Sequence, residues 1–109
     1  MIVREWRGLT KLEDKEVYLE YVRKTGVADY QATAGHVATY VFIGEKEGFA
    51  EFVVQTLWES EDAIRSFAGE DIAIARYYPD DDDYLIDKPK YVRHYNLVES
   101  RLHSTPIGD

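Results

Sequence analysis

Three kinds of side chain in this sequence could carry acid–base or anion chemistry, and the first is the imidazole of His94. Among ordinary side chains, histidine has the unperturbed pKa nearest neutrality, so it can accept a proton near pH 7. His94 lies within a β-type segment, whereas His36 begins another such segment and His103 lies close to the C-terminus. We therefore take His94 as the candidate general base. The alternative is a partly buried imidazole with a purely structural hydrogen bond.

Arg4 is the second candidate, because in an extended segment it shares one face with Ile2 and Trp6. A charged side chain among apolar neighbours needs a counter-charge or a polar cavity. We expect Arg4 either to stabilise an anionic oxygen of a substrate or to form a salt bridge with a carboxylate. Glu51 and Glu99 are possible partners for that salt bridge.

Aromatic residues form the third set, because the 109 residues include 9 Tyr, 4 Phe and 2 Trp. Aromatic rings can form the walls of a pocket for a flat ligand. The candidate substrate-binding residues are Trp6, Tyr40, Trp58, Phe67, Tyr77 and Tyr78. Packing in the core or in a subunit interface is the alternative for all of them, and it is the interpretation we favour for Trp58.

Several other chemistries lack their motifs. The chain has no Cys, and His36, His94 and His103 do not have metal-ligand spacing, so we expect no metal and no cofactor. Neither a nucleophile motif of the Gly-x-Ser-x-Gly type nor a glycine-rich phosphate loop occurs. The acidic run at residues 80–83 is predicted to be a solvated loop, with a weak divalent-cation site as the alternative.

Composition limits the protein class. Thirteen Lys and Arg against 21 Asp and Glu give a net charge of −8, which disfavours a nucleic-acid partner. The longest apolar run is far shorter than the roughly 20 residues of a membrane helix, so no membrane partner is expected. The N-terminus lacks signal-peptide features, which predicts a cytoplasmic location. We expect one domain over residues 1–100 and a tail over residues 101–109.

The hydrophobic pattern predicts alternating strands and helices. We expect strands at residues 2–8, 36–44, 49–58 and 91–99, with a turn at residues 45–48. A capping box at residues 10–13 would begin a helix over residues 13–24, stopped by Gly26. Ser60 would cap a second helix that ends at Gly69, followed by a short helical piece over residues 72–76.

This β-α-β-β-α-β order predicts an α+β, ferredoxin-like fold. Its four-stranded antiparallel sheet would carry both helices on one face. Residues 37–43 are apolar on both faces of their strand, so both faces should be covered. Two helices can cover only one face, and we therefore expect a homodimer formed through the open face.

Four segments carry a resemblance to a known family that spans about residues 1–99. They are Ile2-Val3-Arg4-Glu5-Trp6-Arg7-Gly8, Thr56-Leu57-Trp58-Glu59-Ser60-Glu61-Asp62-Ala63-Ile64, Phe67-Ala68-Gly69-Glu70-Asp71 and Val92-Arg93-His94-Tyr95. In these segments the chain resembles the antibiotic biosynthesis monooxygenase-like family of dimeric α/β barrels. The resemblance implies a dimeric ferredoxin-like barrel.

The family resemblance also implies a function. Members include oxygenases that need neither metal nor flavin, so we expect a cofactor-independent monooxygenase-like protein acting on a phenol, quinol or anthrone. Such chemistry needs a base and a donor for the developing anion, for which His94 and Arg4 are the candidates. The alternative is a non-catalytic dimeric ligand-binding or accessory protein on the same scaffold.

The haem-degrading branch of the family is a poor match to this chain. Those proteins resemble it in layout but have an Asn in the first strand and a Trp and a haem-ligating His in the second helical region. Here the first strand reads Arg4-Glu5-Trp6-Arg7, Phe67 lies near the expected Trp, and residues 76–78 are Arg, Tyr and Tyr. The sequence therefore argues against haem degradation.

Overall fold

The computed structural model describes residues 1–103, which form an antiparallel sheet with helices on one face. Three long strands dominate the sheet: β1 (Ile2–Lys11), β2 (His36–Lys46) and β3 (Phe49–Trp58). Two short strands, β4 (Leu85–Asp87) and β5 (Arg93–Asn96), both pair with β1. Of the predicted tail, residues 104–109, with Pro106 and Gly108, lie outside the described residues.

The strand order β2-β3-β1, with β5 on the outer edge of β1, confirms the ferredoxin-like α+β fold. The prediction of four strands missed β4, which pairs with β1 at Leu9 and Thr10 beyond the end of β5. The predicted last strand over residues 91–99 is shorter, because only Arg93–Asn96 are paired as strand. The hairpin between β2 and β3 turns tightly at Glu47 and Gly48, whose positive φ angles of 54° and 86° suit a two-residue turn.

The first helical segment differs most from its prediction. It begins with a 3-10 turn (Leu12–Asp14), continues as α1 (Lys15–Val22) and a π-helical turn (Arg23–Val27), and ends as α2 (Ala28–Ala32). The capping box was wrong, because Thr10 belongs to β1 and its hydroxyl donates to the carbonyl of Lys11. Gly26 is not a stop, since the helical path continues through it.

The second helix matches its prediction. In α3 (Glu61–Ala68) the Ser60 Oγ accepts a hydrogen bond from the backbone N–H of Ala63 at 3.2 Å. The short helical piece predicted over residues 72–76 was wrong: this stretch is irregular, and one of its residues, Ile74, forms an isolated bridge to Tyr91. A four-residue helix, α4 (Asp81–Tyr84), forms instead within the acidic run.

Alternation along β3 defines the two faces of the sheet. Its even-numbered residues, from Ala50 to Trp58, are all buried, and its odd-numbered residues are all half-buried. Tyr18 and Val22 of α1 pack on Phe52, whereas Ile64 and Phe67 of α3 pack with Trp58. Both helices therefore cover the same face. This helix-covered face carries the candidate site, and we call the opposite one the open face.

Candidate functional site

A small cavity of about 50 Å³ lies between the helix-covered face of the sheet and the first helical segment. Strand β1 contributes Arg4 and Trp6, because even-numbered residues of β1 point to the helices, as those of β3 do. Other lining residues used below are Tyr18, Tyr30, Phe67, Arg76, Tyr77, Tyr78 and Asp81. The volume accommodates roughly three to five water-sized groups.

Arg4 is the most unusual residue of this cavity, because its side chain is only 4% exposed. Its guanidinium donates to the carbonyl oxygens of Ile72 and Ile74, the latter at 3.0 Å. No carboxylate of residues 1–103 lies within salt-bridge distance of it, and Glu51 pairs with Arg7 instead. The salt bridges considered from the sequence are therefore absent in the described chain, and a buried positive charge faces the cavity with only neutral partners.

His94 lies beside Arg4 on the neighbouring strand β5, where the two residues are paired in register. Arg4 Nη1 donates to His94 Nε2 at 3.1 Å, so Nε2 carries no proton in this contact. Burial and the charge of Arg4 lower the pKa of His94, although Glu61 opposes the shift. The imidazole is thus neutral near pH 7. It does not line the cavity itself but faces a separate cleft of about 240 Å³.

Tyr30 of α2 directs a phenol group to the same cavity as Arg4. Its ring packs edge-on against Phe67, with centroids 4.8 Å apart, and against Trp58. Within residues 1–103, four other tyrosine hydroxyls of this region form hydrogen bonds, whereas the Tyr30 hydroxyl forms none. Burial raises the pKa of Tyr30 to about 12, and the charges of Arg4 and Arg76 oppose that rise. The phenol is therefore protonated at neutral pH and can donate a hydrogen bond.

Asp81 supplies a carboxylate to the cavity and is only 4% exposed. One oxygen accepts from the Tyr18 hydroxyl at 2.8 Å and the other from the backbone N–H of Tyr78 at 2.6 Å. Burial, followed by the charge of Asp81, raises the pKa of Tyr18, so this hydroxyl remains a donor. The prediction that residues 80–83 form a solvated loop was wrong for Asp81.

Arg76 closes one side of the cavity and is 40% exposed, which places it between the interior and solvent. Its guanidinium lies 3.2 Å from Asp29 Oδ2 and stacks over the rings of Phe67 and Tyr78. The Tyr78 hydroxyl donates to the same Asp29 oxygen at 2.7 Å. Side chains thus form this boundary, and Arg76 also donates to the carbonyl oxygen of Phe67 at 2.9 Å.

Trp6 and Tyr77 form the opposite wall. The Trp6 indole Nε1 donates to the Tyr77 hydroxyl at 3.0 Å, and that hydroxyl donates to the carbonyl of Pro89. The Trp6 ring lies flat along its own strand over Gly8, where a Cβ atom would come within 2.4 Å of the ring. Gly8 therefore permits the ring position that closes this wall.

The sequence-derived candidates separate into two groups in space. Arg4, Trp6, Phe67, Tyr77 and Tyr78 all line the cavity. Trp58 lies in the core and is fully buried, Tyr40 is 54% exposed on the open face, and His94 contacts the cavity only through Arg4.

Sequence reasoning did not identify Tyr30 or Asp81 as site residues. Tyr30 lies beyond Gly26, where the helix was predicted to stop. Asp81 cannot be distinguished in the sequence from the three other aspartates of residues 80–83. The one available signal was indirect. Tyr78 precedes Pro79, which favours a turn at this point. In such a turn the side chain of Asp81, three residues after Tyr78, can accept a hydrogen bond from the Tyr78 backbone.

Two further features were sought in the described part of the chain, a metal-binding cluster and a membrane-spanning helix. Residues 1–103 contain no group of three or more acidic or histidine side chains arranged to hold a metal ion. Within the same residues, no helix is long and apolar enough to cross a membrane.

Comparison with known proteins extends only to the fold. The chain matches no protein-family model and no curated protein. A crystal structure of a candidate antibiotic biosynthesis monooxygenase from Bacillus cereus is similar, with a TM-score of 0.63 and 20% sequence identity. The match covers 94% of this chain and 97% of that chain. The ferredoxin-like fold of the single chain, which the family resemblance in the sequence implies, is therefore confirmed.

Proposed function

We propose that this chain is a cofactor-independent monooxygenase-like protein that acts on a small phenol, quinol or anthrone. The observation that carries the proposal is a cavity between sheet and helices with aromatic walls and a buried guanidinium that has no carboxylate partner within residues 1–103. A shared fold does not establish an activity. The likeness to the Bacillus cereus protein adds a reason to test this chemistry first.

In the proposed reaction, the protein removes a proton from the substrate and stabilises the anion that remains. An electron-rich carbanion or phenolate can react with O₂ directly. For an activated methylene group the balance is R₂CH₂ + O₂ → R₂C=O + H₂O, so O₂ is the only oxidant. Arg4 would stabilise the anionic oxygen, because a preorganised positive charge in a dry site favours the developing negative charge.

His94 remains the candidate base. Its imidazole is neutral, as a proton acceptor must be, but Nε2 is occupied by a hydrogen bond from Arg4. For His94 to act as the base, Arg4 would have to release Nε2, because the neutral ring carries its proton on Nδ1. Replacing His94 with Ala is expected to lower turnover by roughly 10²-fold or more if the imidazole is the general base.

The non-catalytic alternative is favoured by one observation, the size of the cavity. A volume of about 50 Å³ is smaller than the roughly 150 Å³ in which benzene has been held in a protein interior. An aromatic substrate would have to displace boundary side chains such as Arg76 and Tyr78. If they do not move, the chain would bind a smaller ligand or serve as an accessory protein.

Oxygen uptake distinguishes the two functions. The purified protein would be incubated with a panel of phenols, quinols and anthrones in buffer containing a metal chelator. The proposal predicts consumption of O₂ that is proportional to enzyme and reduced at least about 10²-fold by His94→Ala or Arg4→Gln. Uptake by none of the substrates, with saturable binding of one of them, would support the accessory role.

The proposal includes a homodimer formed through the open face. Tyr40, Phe42 and Tyr95 are 54%, 50% and 45% exposed there, and Val53 and Leu57 are half-buried beside them. Exposed aromatic side chains commonly mark an interface between proteins. A polar row of Gln55, Glu5 and Arg93 crosses the same face, so the interface would combine apolar and polar contacts. A second copy of the chain offers the same sheet face and would cover it symmetrically.

A further inference from the structure

We propose that the cavity is a receptor for a small monocarboxylate, bound between the guanidinium of Arg4 and the hydroxyl of Tyr30. This inference rests on the site of the proposed function and deepens it by naming the charge class of the ligand. It does not depend on whether the bound molecule is oxygenated.

The positive charge of Arg4 has no counter-charge within residues 1–103. Removing a guanidinium from water is costly, and buried charges in proteins are almost always paired. Arg4 is 4% exposed, and all its partners within residues 1–103 are neutral: two carbonyl oxygens and the imidazole of His94. An anionic ligand is the simplest group that would compensate this charge.

Arg4 and Tyr30 retain hydrogen-bond donors that an anion could use. Arg4 has five N–H groups, and three of them have acceptors among residues 1–103, two from Nη1 and one from Nη2. The Nε–H and the second Nη2–H remain. Tyr30 lines the same cavity, and its hydroxyl, which forms no hydrogen bond within residues 1–103, adds another donor. Three donors suit the two oxygens of a carboxylate.

The size of the cavity limits which part of a ligand it can hold. Its volume of about 50 Å³ accepts the four heavy atoms of an acetate-sized group without rearrangement. A larger acid could place its carboxylate here and extend past Arg76, the partly exposed residue at the boundary. The positive charge of Arg76 would also favour entry of an anion, although its pairing with Asp29 weakens this effect.

Asp81 narrows the ligand class from anions to monoanions. Its carboxylate lines the same cavity, and both of its oxygens already accept hydrogen bonds. A ligand with two negative charges would bring the second charge toward this carboxylate, which is unfavourable in a poorly solvated space. A monocarboxylate satisfies Arg4 while leaving Asp81 to accept a hydrogen bond from a hydroxyl elsewhere on the ligand.

Pairs of acids and amides of the same shape test the inference on the wild-type protein. Calorimetric titration would compare acetate with acetamide and benzoate with benzamide, and inorganic phosphate would serve as the dianion. We expect each acid to bind at least about tenfold more tightly than its amide, because only the acid pairs with the guanidinium. Phosphate should bind more weakly than acetate.

Two variants locate the site. Tyr30→Phe removes one hydroxyl from the cavity and is expected to weaken acid binding by about tenfold while leaving amide binding unchanged. Arg65→Gln is the matched control, because Arg65 pairs with Asp62 on the surface of α3 and should leave acid binding unchanged. The Tyr30 variant retains the ring that packs on Phe67, so it should fold.

Equal affinity for acids and amides, preference for phosphate, absence of saturable acid binding, or an unchanged acid affinity in Tyr30→Phe would each overturn the inference. The oxygen-uptake assay is independent of these titrations. Acid binding without O₂ consumption would reject the proposed oxygenase and retain the receptor. Oxygenation of neutral quinols that is unaffected by acids would retain the oxygenase and reject the receptor.

Discussion

The two faces of the sheet differ in which side chains they leave without a matching partner in residues 1–103. On the helix-covered face, Arg4 and Thr56 are 4% and 2% exposed, although one is charged and the other polar. On the open face, Tyr40 and Phe42 expose half of their area. Each face therefore lacks a partner, but the partners differ in scale. A buried guanidinium requires a few atoms of opposite charge, whereas exposed rings on a sheet face are covered only by a second protein surface.

The largest expected effect lies in the closed part of the helix-covered face. Trp58→Ala should lower the free energy of unfolding by about 3–5 kcal/mol, because the side chain is fully buried and its removal leaves a void. Urea denaturation would measure the loss at several protein concentrations. Val98→Ala is the control, since Val98 is 91% exposed and should change stability by less than about 0.5 kcal/mol. A Trp58 loss below 1 kcal/mol would contradict the packing described.

The next effect tests the open face through assembly. Phe42→Glu should convert a species of twice 12.7 kDa into a single chain, because a carboxylate cannot be buried unpaired in the interface. Sedimentation equilibrium at micromolar concentration would measure the mass. Gln31→Glu adds the same charge on an exposed residue of α2 and should leave the mass unchanged. A wild-type protein that sediments as one chain would reject the dimer.

A smaller effect returns to the helix-covered face. Tyr18→Phe removes one of the two hydrogen bonds that hold the buried carboxylate of Asp81. We expect a loss of about 1–3 kcal/mol in the free energy of unfolding, because one oxygen is left unsatisfied. Tyr84→Phe is the matched control: Tyr84 packs on Tyr18, and its hydroxyl forms no hydrogen bond within residues 1–103. Equal losses in both variants would show that the hydrogen bond is not important.

The smallest effect is a pH dependence at His94. Its pKa in the folded protein is lowered, so between that value and about 6.5 the unfolded chain binds more protons than the folded one. Stability from this group is therefore present above about pH 6.5 and is lost as the pH falls. Denaturation at pH 5 and pH 7.5 should show a smaller difference for His94→Gln than for the wild type. An identical difference would mean that the folded pKa is not lowered.

Regular elements were predictable where the local pattern was strong. The bounds of β3 and the cap of α3 follow from a run of β-type residues and from Ser60 placed before an apolar helix face. Strand β4 has only three residues and forms because β1 offers a free edge, so no local signal marks it. Tertiary pairing, rather than propensity, decided that element.

The candidate site was predictable only in part. Arg4 was recognisable as a charge on an apolar strand face, and the structure gives it no carboxylate partner within residues 1–103. Asp81 was not recognisable, because four consecutive acids resemble one another and only the fold selects which one turns inward. Tyr40 was predicted to line the site, and this was wrong. It is aromatic, as a pocket residue often is, but the register of β2 directs it to the open face.

The π-helical turn at Arg23–Val27 determines how many residues between Tyr18 and Tyr30 allow both side chains to reach the cavity. Tyr18 and Tyr30 are twelve positions apart, which in a regular α-helix would separate their directions by about 120°. The wider turn absorbs one residue and brings them to within about 20° of each other, so both reach the cavity. A relative lacking one residue here could keep Tyr30 directed inward with a regular helix. A chain with one more residue would turn it away by about 100°, and the acetate affinity of two such length variants would distinguish these outcomes.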